Sequence, residues 1–172
     1  MKIIKLLKSF AIVLFLFVLA GCQKPVSPKI YADIKSLTDD LRKTTQFISQ
    51  KDFKAILDAG KEINILDCRE PEKYDSACIP GAVNVPRGKV EFDIGNKIQE
   101  RRLPLYIYSD NEEKSILTAK ALKMIKFSSV IVIQGDWEQW STQFPDAVQL
   151  EPNAGQSQEA AAPVEEEGGC GG

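Results

Sequence analysis

A chain of 172 residues is long enough for one domain with a hydrophobic core and too short for two of ordinary size. It contains no histidine, which excludes imidazole general bases, Ser-His-Asp and Cys-His nucleophile systems and every His-ligated zinc site. At a net charge of −2 it has no basic footprint for nucleic acid, so its chemistry must rest on four cysteines, carboxylates, hydroxyls and lysines.

Residues 1–21 read as an export signal. Lys2, Lys5 and Lys8 give a cationic start, and Phe10 to Ala20 form an unbroken apolar run too short to span a bilayer as a helix. The run ends in Leu19-Ala20-Gly21-Cys22, which resembles the bacterial lipobox. That resemblance implies lipid on Cys22, which would become the mature first residue and hold the protein at a membrane. Gln23, where an aspartate would retain the protein at the inner membrane, implies an outer-membrane destination facing the periplasm in a two-membrane bacterium.

Residues 22–44 read as a tether and spacer helix. Pro25 and Pro28 stiffen the tether. Ile30, Ile34, Leu37 and Leu41 then place one apolar stripe on a helix from about Tyr31 to Lys43. Ser49 followed by Asp52 reads as a helix N-cap, with the helix running to about Ala59 and stopping at Gly60. From there short apolar runs alternate with a helical period. Strands are expected at Ile63 to Cys68, Ala82 to Val85, Leu103 to Tyr108 and Val130 to Ile133, with helices at Glu112 to Lys126 and Trp137 to Phe144. The alternation predicts an α/β fold with a mostly parallel central sheet and helices on both faces. Ligands of such sheets sit at the carboxyl ends of the strands, which directs attention to residues 67–78 and 109–115. The last segment, residues 151–172, holds five glutamates, no Lys or Arg and almost no large apolar side chain, the composition of an acidic disordered tail.

Two segments carry a family resemblance. Leu66-Asp67-Cys68-Arg69-Glu70-Pro71-Glu72-Lys73-Tyr74, continued by Ala77-Cys78-Ile79-Pro80-Gly81-Ala82-Val83-Asn84-Val85-Pro86, resembles the front half of a rhodanese domain. Leu105 to Ser115, followed by Gly135 and Trp140, resembles its back half. The likeness spans residues 45–150 and implies the rhodanese-like fold. Asp67 and Arg69 are placed to tie adjacent loops by charge-assisted hydrogen bonds, and Pro80-Gly81 is a turn signal.

The departures bear on function. The family carries its nucleophilic cysteine directly after the strand at Leu105 to Tyr108, in a loop that cradles an anion. Here that loop reads Ser109-Asp110-Asn111-Glu112-Glu113-Lys114-Ser115, with a hydroxyl in the nucleophile position. A hydroxyl cannot store a sulfane sulfur, and the loop's own net charge of −2 would repel an anionic substrate. No catalytic residue, metal or cofactor is therefore expected. The family's histidine is replaced by Cys78, which is a candidate disulfide partner for Cys68; Cys68 is equally readable as a small buried hydrophobe. With Cys22 lipidated, one thiol remains unpaired in either case, and Cys170 between two glycine pairs is the natural candidate. The first expectation is a membrane-anchored binding or sensing module, meeting a protein or small-molecule partner and no nucleic acid. The alternative is a sulfur- or redox-handling protein that works through Cys78 or Cys170.

Overall fold

The structure, a computed structural model, describes residues 29–153; the export signal, Cys22, most of the acidic tail and Cys170 lie outside the described residues. All of the elements below belong to the compact unit that begins at Ala32. Helix starts are set by their capping residues. Helix α1 spans Ile34–Arg42, because Asp33 accepts from the Ser36 backbone N–H while Ser36 bonds back to Asp33, so the helix begins later than the apolar spacing predicts. After strand β1, Gln46–Ile48, the Ser49 hydroxyl accepts from the Asp52 backbone and starts α2, Gln50–Asp58. That helix ends at Ala59, and Gly60 takes up φ +60°.

Strand β2, Asn64–Asp67, leads into a short helix α3, Pro71–Ser76, which carries proline at its start, where the missing N–H costs nothing. Next along the chain come β3, Ala77–Cys78; β4, Ala82–Asn84; α4, Val90–Lys97; β5, Leu105–Tyr108; α5, Glu112–Met124; β6, Val130–Ile133; α6, Trp137–Gln143; and β7, Gln149–Leu150. Asn111 caps α5 by accepting from the Lys114 backbone, and Asp136 caps α6 by accepting from that of Gln139.

The central sheet has the order β1-β6-β5-β2-β4, with every adjacent pair parallel. Its strands alternate between two cores. Leu66, Leu105, Ile107, Val130 and Val132 face a cluster with Val90 and Ile94 of α4 and Leu122 of α5. Ile65, Tyr106, Tyr108 and Ile133 face the opposite cluster, with Phe53 of α2 and Trp140 of α6. A strand buried on both faces has no polar positions to spare, which is why β5 and β6 read as continuous apolar runs. Helix α5 is buried on several sides, since α1 and α4 pack on it as well as the sheet. On α1 the predicted stripe is only partly covered: Leu37 and Leu41 are half-buried, while Ile34 stays exposed.

From β2 the chain moves outward to β4, then returns to place β5 on the other side of β2. The connections leaving β2 and β5 therefore diverge and open a crevice at their carboxyl ends. Replacing Ile107, which is fully buried, with alanine should cost about 2–5 kcal/mol in urea unfolding. Phe92→Ala, at an exposed position on α4, should stay within about 0.5 kcal/mol of wild type.

Candidate functional site

The crevice is a cleft of ≈ 420 Å³ lined by Arg69, Lys73, Ser76, Asp110, Asn111, Trp137 and Glu138. Its floor is an ion pair. Asp67, the last residue of β2, and Arg69, two residues on, are both almost completely buried. The guanidinium donates to both Asp67 carboxylate oxygens, through Nε at 3.0 Å to Oδ2 and 3.1 Å to Oδ1, and through Nη2 at 2.6 Å to Oδ2. Nη2 also donates to the Ala77 carbonyl at 2.6 Å, and Asn84 donates to the Asp67 and Arg69 carbonyls. The buried pair thus ties the end of β2 to the residue that follows α3, while Asn84 of β4 holds the backbone on either side of Cys68. The outer face of the guanidinium lies 4.0 Å from the Trp137 ring centroid, a cation–π contact.

Ser109 comes directly after β5 and is fully buried. Its hydroxyl donates to Asp110 Oδ1 at 3.1 Å. Asp110 also accepts from Lys73 of α3, at 2.8 Å on Oδ2, and from Lys114 of α5, at 2.9 Å on Oδ1 and 3.1 Å on Oδ2. Partial burial opposes ionisation of this carboxyl, but the two lysines outweigh it and hold the group well below the usual carboxylate range. Glu112 turns away from the cleft: it accepts from the Gly135 backbone N–H at 2.7 Å and pairs with Arg42 of α1. The excess negative charge read from the loop is therefore corrected by the fold. Lys73 and Arg42, distant in sequence, neutralise Asp110 and Glu112, and Glu113 alone is left exposed. Ser115, on the first turn of α5, is buried with its hydroxyl unpaired.

Cys68 and Cys78 are both free, so the candidate disulfide does not form. Cys68 packs in the core beside α4 and α5, whereas Cys78 on β3 lies near Tyr74, a residue packed against the other core. Both are buried, and burial pushes the Cys68 thiol up to about 12 and raises that of Cys78. Cys68 is the small buried hydrophobe of the two readings. The remaining motif residues shape the site without entering it. Pro80 and Gly81 occupy the middle of a turn closed by the Ala82 N–H on the Ile79 carbonyl, with Gly81 at φ +77°. Gly135 takes φ +83°, a left-handed conformation that an L side chain rarely adopts. Trp140 is buried against Phe53 and Phe144 and donates through Nε1 to the Ala147 carbonyl.

The rhodanese-like domain family matches residues 49–143, a segment that includes every cleft-lining residue. The chain belongs to the rhodanese-like domain family. The putative sulfur carrier protein YrkF of Bacillus subtilis is 35% identical over 94 residues, covering 55% of this chain and 50% of that protein. The probable adenylyltransferase/sulfurtransferase MoeZ of Mycobacterium tuberculosis is 27% identical over 103 residues, covering 59% of this chain and 26% of its own length. The chain thus spans half or less of the length of each of these two relatives. The fold is shared with a thiosulfate sulfurtransferase from Pseudomonas aeruginosa, at a TM-score of 0.58 and 21% identity over 69% of this chain and 23% of the other. It is shared too with the rhodanese-like domain of the Anabaena Alr3790 protein, at a TM-score of 0.55 and 18% identity over 72% and 90% of the two chains.

In this rhodanese-like domain the sequence reading missed Lys73 and Trp137 as lining residues. Lys73 lies within the first motif but on the outward side of a helix that motif does not announce. Trp137 could be read only as an apolar residue of the closing helix, because its partner Arg69 is remote in sequence. Among the described residues no group of three or more Cys, Asp or Glu is arranged to hold a metal ion.

Removing the carboxylate in Asp67→Ala strands a buried guanidinium, and should cost about 3–5 kcal/mol in chemical denaturation. The double variant Asp67→Leu with Arg69→Met should recover much of that loss. Alkylation at pH 8, then peptide mass mapping, should leave Cys68 unmodified in the native protein and modify it rapidly in denaturant.

Proposed function

We propose that this chain is a lipoprotein of the bacterial cell envelope, anchored through Cys22, whose rhodanese-like domain binds a ligand or protein partner without transferring sulfur. In a two-membrane bacterium the anchor would place it at the outer membrane, facing the periplasm. The observation that carries this reading is the buried Ser109 hydroxyl at the end of β5, bonded to an ionised Asp110. By resemblance this is the nucleophile position. A persulfide forms only on a thiolate, and a serine hydroxyl needs a strong base to act even as an oxygen nucleophile. The chain has no histidine, and the nearest carboxylate, Asp110, is held as a weak base by two lysines. Cys68 and Cys78 do not substitute, since burial keeps both thiols protonated. The cleft itself persists, with polar and aromatic groups suited to holding a small polar molecule or a partner's side chain.

A second reading is favoured by the similarity to a putative sulfur carrier protein: an envelope sulfur- or redox-handling protein that works through Cys170. Cys78, the other thiol this reading could use, is buried, and burial raises its thiol above the usual range, so Cys170 is the better placed of the two. Mass spectrometry of the purified chain after exposure to a sulfane donor separates the two readings, a persulfide on Cys170 supporting the second and an unmodified thiol the first.

Thiosulfate-to-cyanide sulfur transfer by the wild-type chain should be indistinguishable from the protein-free blank. Turnover well above the blank would overturn the non-catalytic reading. For the anchor, the wild-type protein should partition with membranes when expressed in a bacterium, and Cys22→Ala should shift it to the soluble or unprocessed pool; identical partitioning would remove the lipid from the proposal.

A further inference from the structure

Two lysines from different elements converge on one side chain in the cleft. Lys73 rises from α3, Lys114 from the first turn of α5, and both ammonium groups donate to the same Asp110 oxygen, at 2.8 Å and 3.1 Å. Two cations that share an oxygen atom repel one another unless an anion stands between them. The second Asp110 oxygen is engaged as well, by Lys114 and by the Ser109 hydroxyl. The carboxylate is thus contacted as a bound oxyanion would be: by two ammonium groups and one hydroxyl, at the diverging ends of β2 and β5, in an open cleft. The N-terminus of α5 does not supply this anion's partners, because Asn111 already caps it.

We propose that Asp110 is a resident anion, filling from within the chain the place between Lys73 and Lys114 that a small oxyanion such as sulfate, thiosulfate or phosphate would otherwise occupy, and so setting the cleft's selectivity against such ligands. This deepens the binding-module reading and rests on it, by naming a ligand class that the wild-type cleft rejects. The rejection is not long-range repulsion, since Asp110 and Glu112 are paired; it is occupancy. A free sulfate must displace a carboxylate that is tethered one peptide bond from Ser109 and therefore present at a very high effective concentration. Replacing the carboxylate with a neutral amide of the same shape leaves two ammonium groups facing one another with nothing between, and raises the local charge by one unit. The lysines are partly exposed, so solvent screens their pairing with Asp110, and binding is the direct readout of its strength.

The test is titration of wild-type protein, Asp110→Asn and Asp110→Ala with sodium sulfate and thiosulfate at low ionic strength, monitored by calorimetry and by tryptophan fluorescence, with sodium chloride as the ionic-strength control. Trp137 lines the cleft and serves as the reporter. Both variants should bind sulfate at least about tenfold more tightly than wild type, and adding Lys73→Gln with Lys114→Gln should abolish the gain. Equal affinity in wild type and variants would overturn the proposal. So would failure of both folded variants to bind, checked by circular dichroism, or tight binding that survives loss of both lysines. The readout is binding alone, so it stands apart from the sulfur-transfer assay: wild-type turnover would sink the non-catalytic reading without touching these titrations, and their failure would leave that reading intact.

Discussion

The geometry of the cleft depends on the buried pair between Asp67 and Arg69. Taking a carboxylate and a guanidinium out of water costs several kcal/mol each, and their attraction repays this only when the geometry is good and the remaining donors are used. Both conditions hold. The guanidinium bonds both carboxylate oxygens and reaches the Ala77 carbonyl, while Asn84 satisfies the two neighbouring backbone carbonyls. The Tyr108 hydroxyl accepts from the Ile79 N–H and its ring centroid lies 5.5 Å from the Arg69 guanidinium, which links β5 to the same centre. Four segments that diverge in sequence are thereby held at one end of the sheet. Trp137 can then stack on the guanidinium, closing one side of the cleft.

A second layer of charge sits above this floor, and its arrangement changes what the sequence implies. Counted along the chain, the loop after β5 is acidic. In three dimensions Asp110 and Glu112 are shared among partners that arrive from α1, α3 and the β6–α6 turn, and Glu113 faces solvent. Glu112 fastens α5 to Arg42 and to the Gly135 backbone, so the residue that looked repulsive to a ligand is a strut between a helix and the β6–α6 turn. Charge tallies over a few consecutive residues predict local potential poorly wherever the fold imports counter-ions from elsewhere.

The parts of the fold that were legible are those with a strong local period. The runs in β2, β5 and β6, the caps at Ser49 and the helical spacing in α5 each state their structure within a dozen residues. Strand β1 was not legible because three residues, Gln46–Ile48, carry almost no pattern; it exists through pairing with β6. Helix α4 was missed because Gly95 and Asn96 weaken its propensity, and it is held by burial of Val90 and Ile94 against α5 and the sheet. The helix α3 lay inside a motif that reads as loop. The candidate disulfide is absent for a similar reason: ten residues of separation allow a bridge, but an intervening helix leaves Cys68 in the core beside α4 and α5 and Cys78 on β3. In the site, Asp67, Arg69 and Asp110 could be named from sequence, while the partners that give them meaning could not, since those contacts are long-range.

The persistence of the cleft alongside a serine at its deepest loop position separates two things that family membership tends to merge. The scaffold needs the parallel sheet, the Asp67–Arg69 pair and the turn at Pro80-Gly81, and none of these depends on the identity of the residue after Tyr108. Sulfur transfer at this loop, on the reading proposed above, would need a thiolate and a positive cradle, and both would be decided by the few residues from Ser109 to Ser115 together with Lys73. A hydroxyl bonded to a carboxylate at that point is compatible with the fold because both groups find partners there. It is incompatible with storing sulfur because neither can carry a persulfide. The residues that hold the fold and the residues that line this loop are therefore almost disjoint sets, so the architecture leaves the loop's chemistry free to differ.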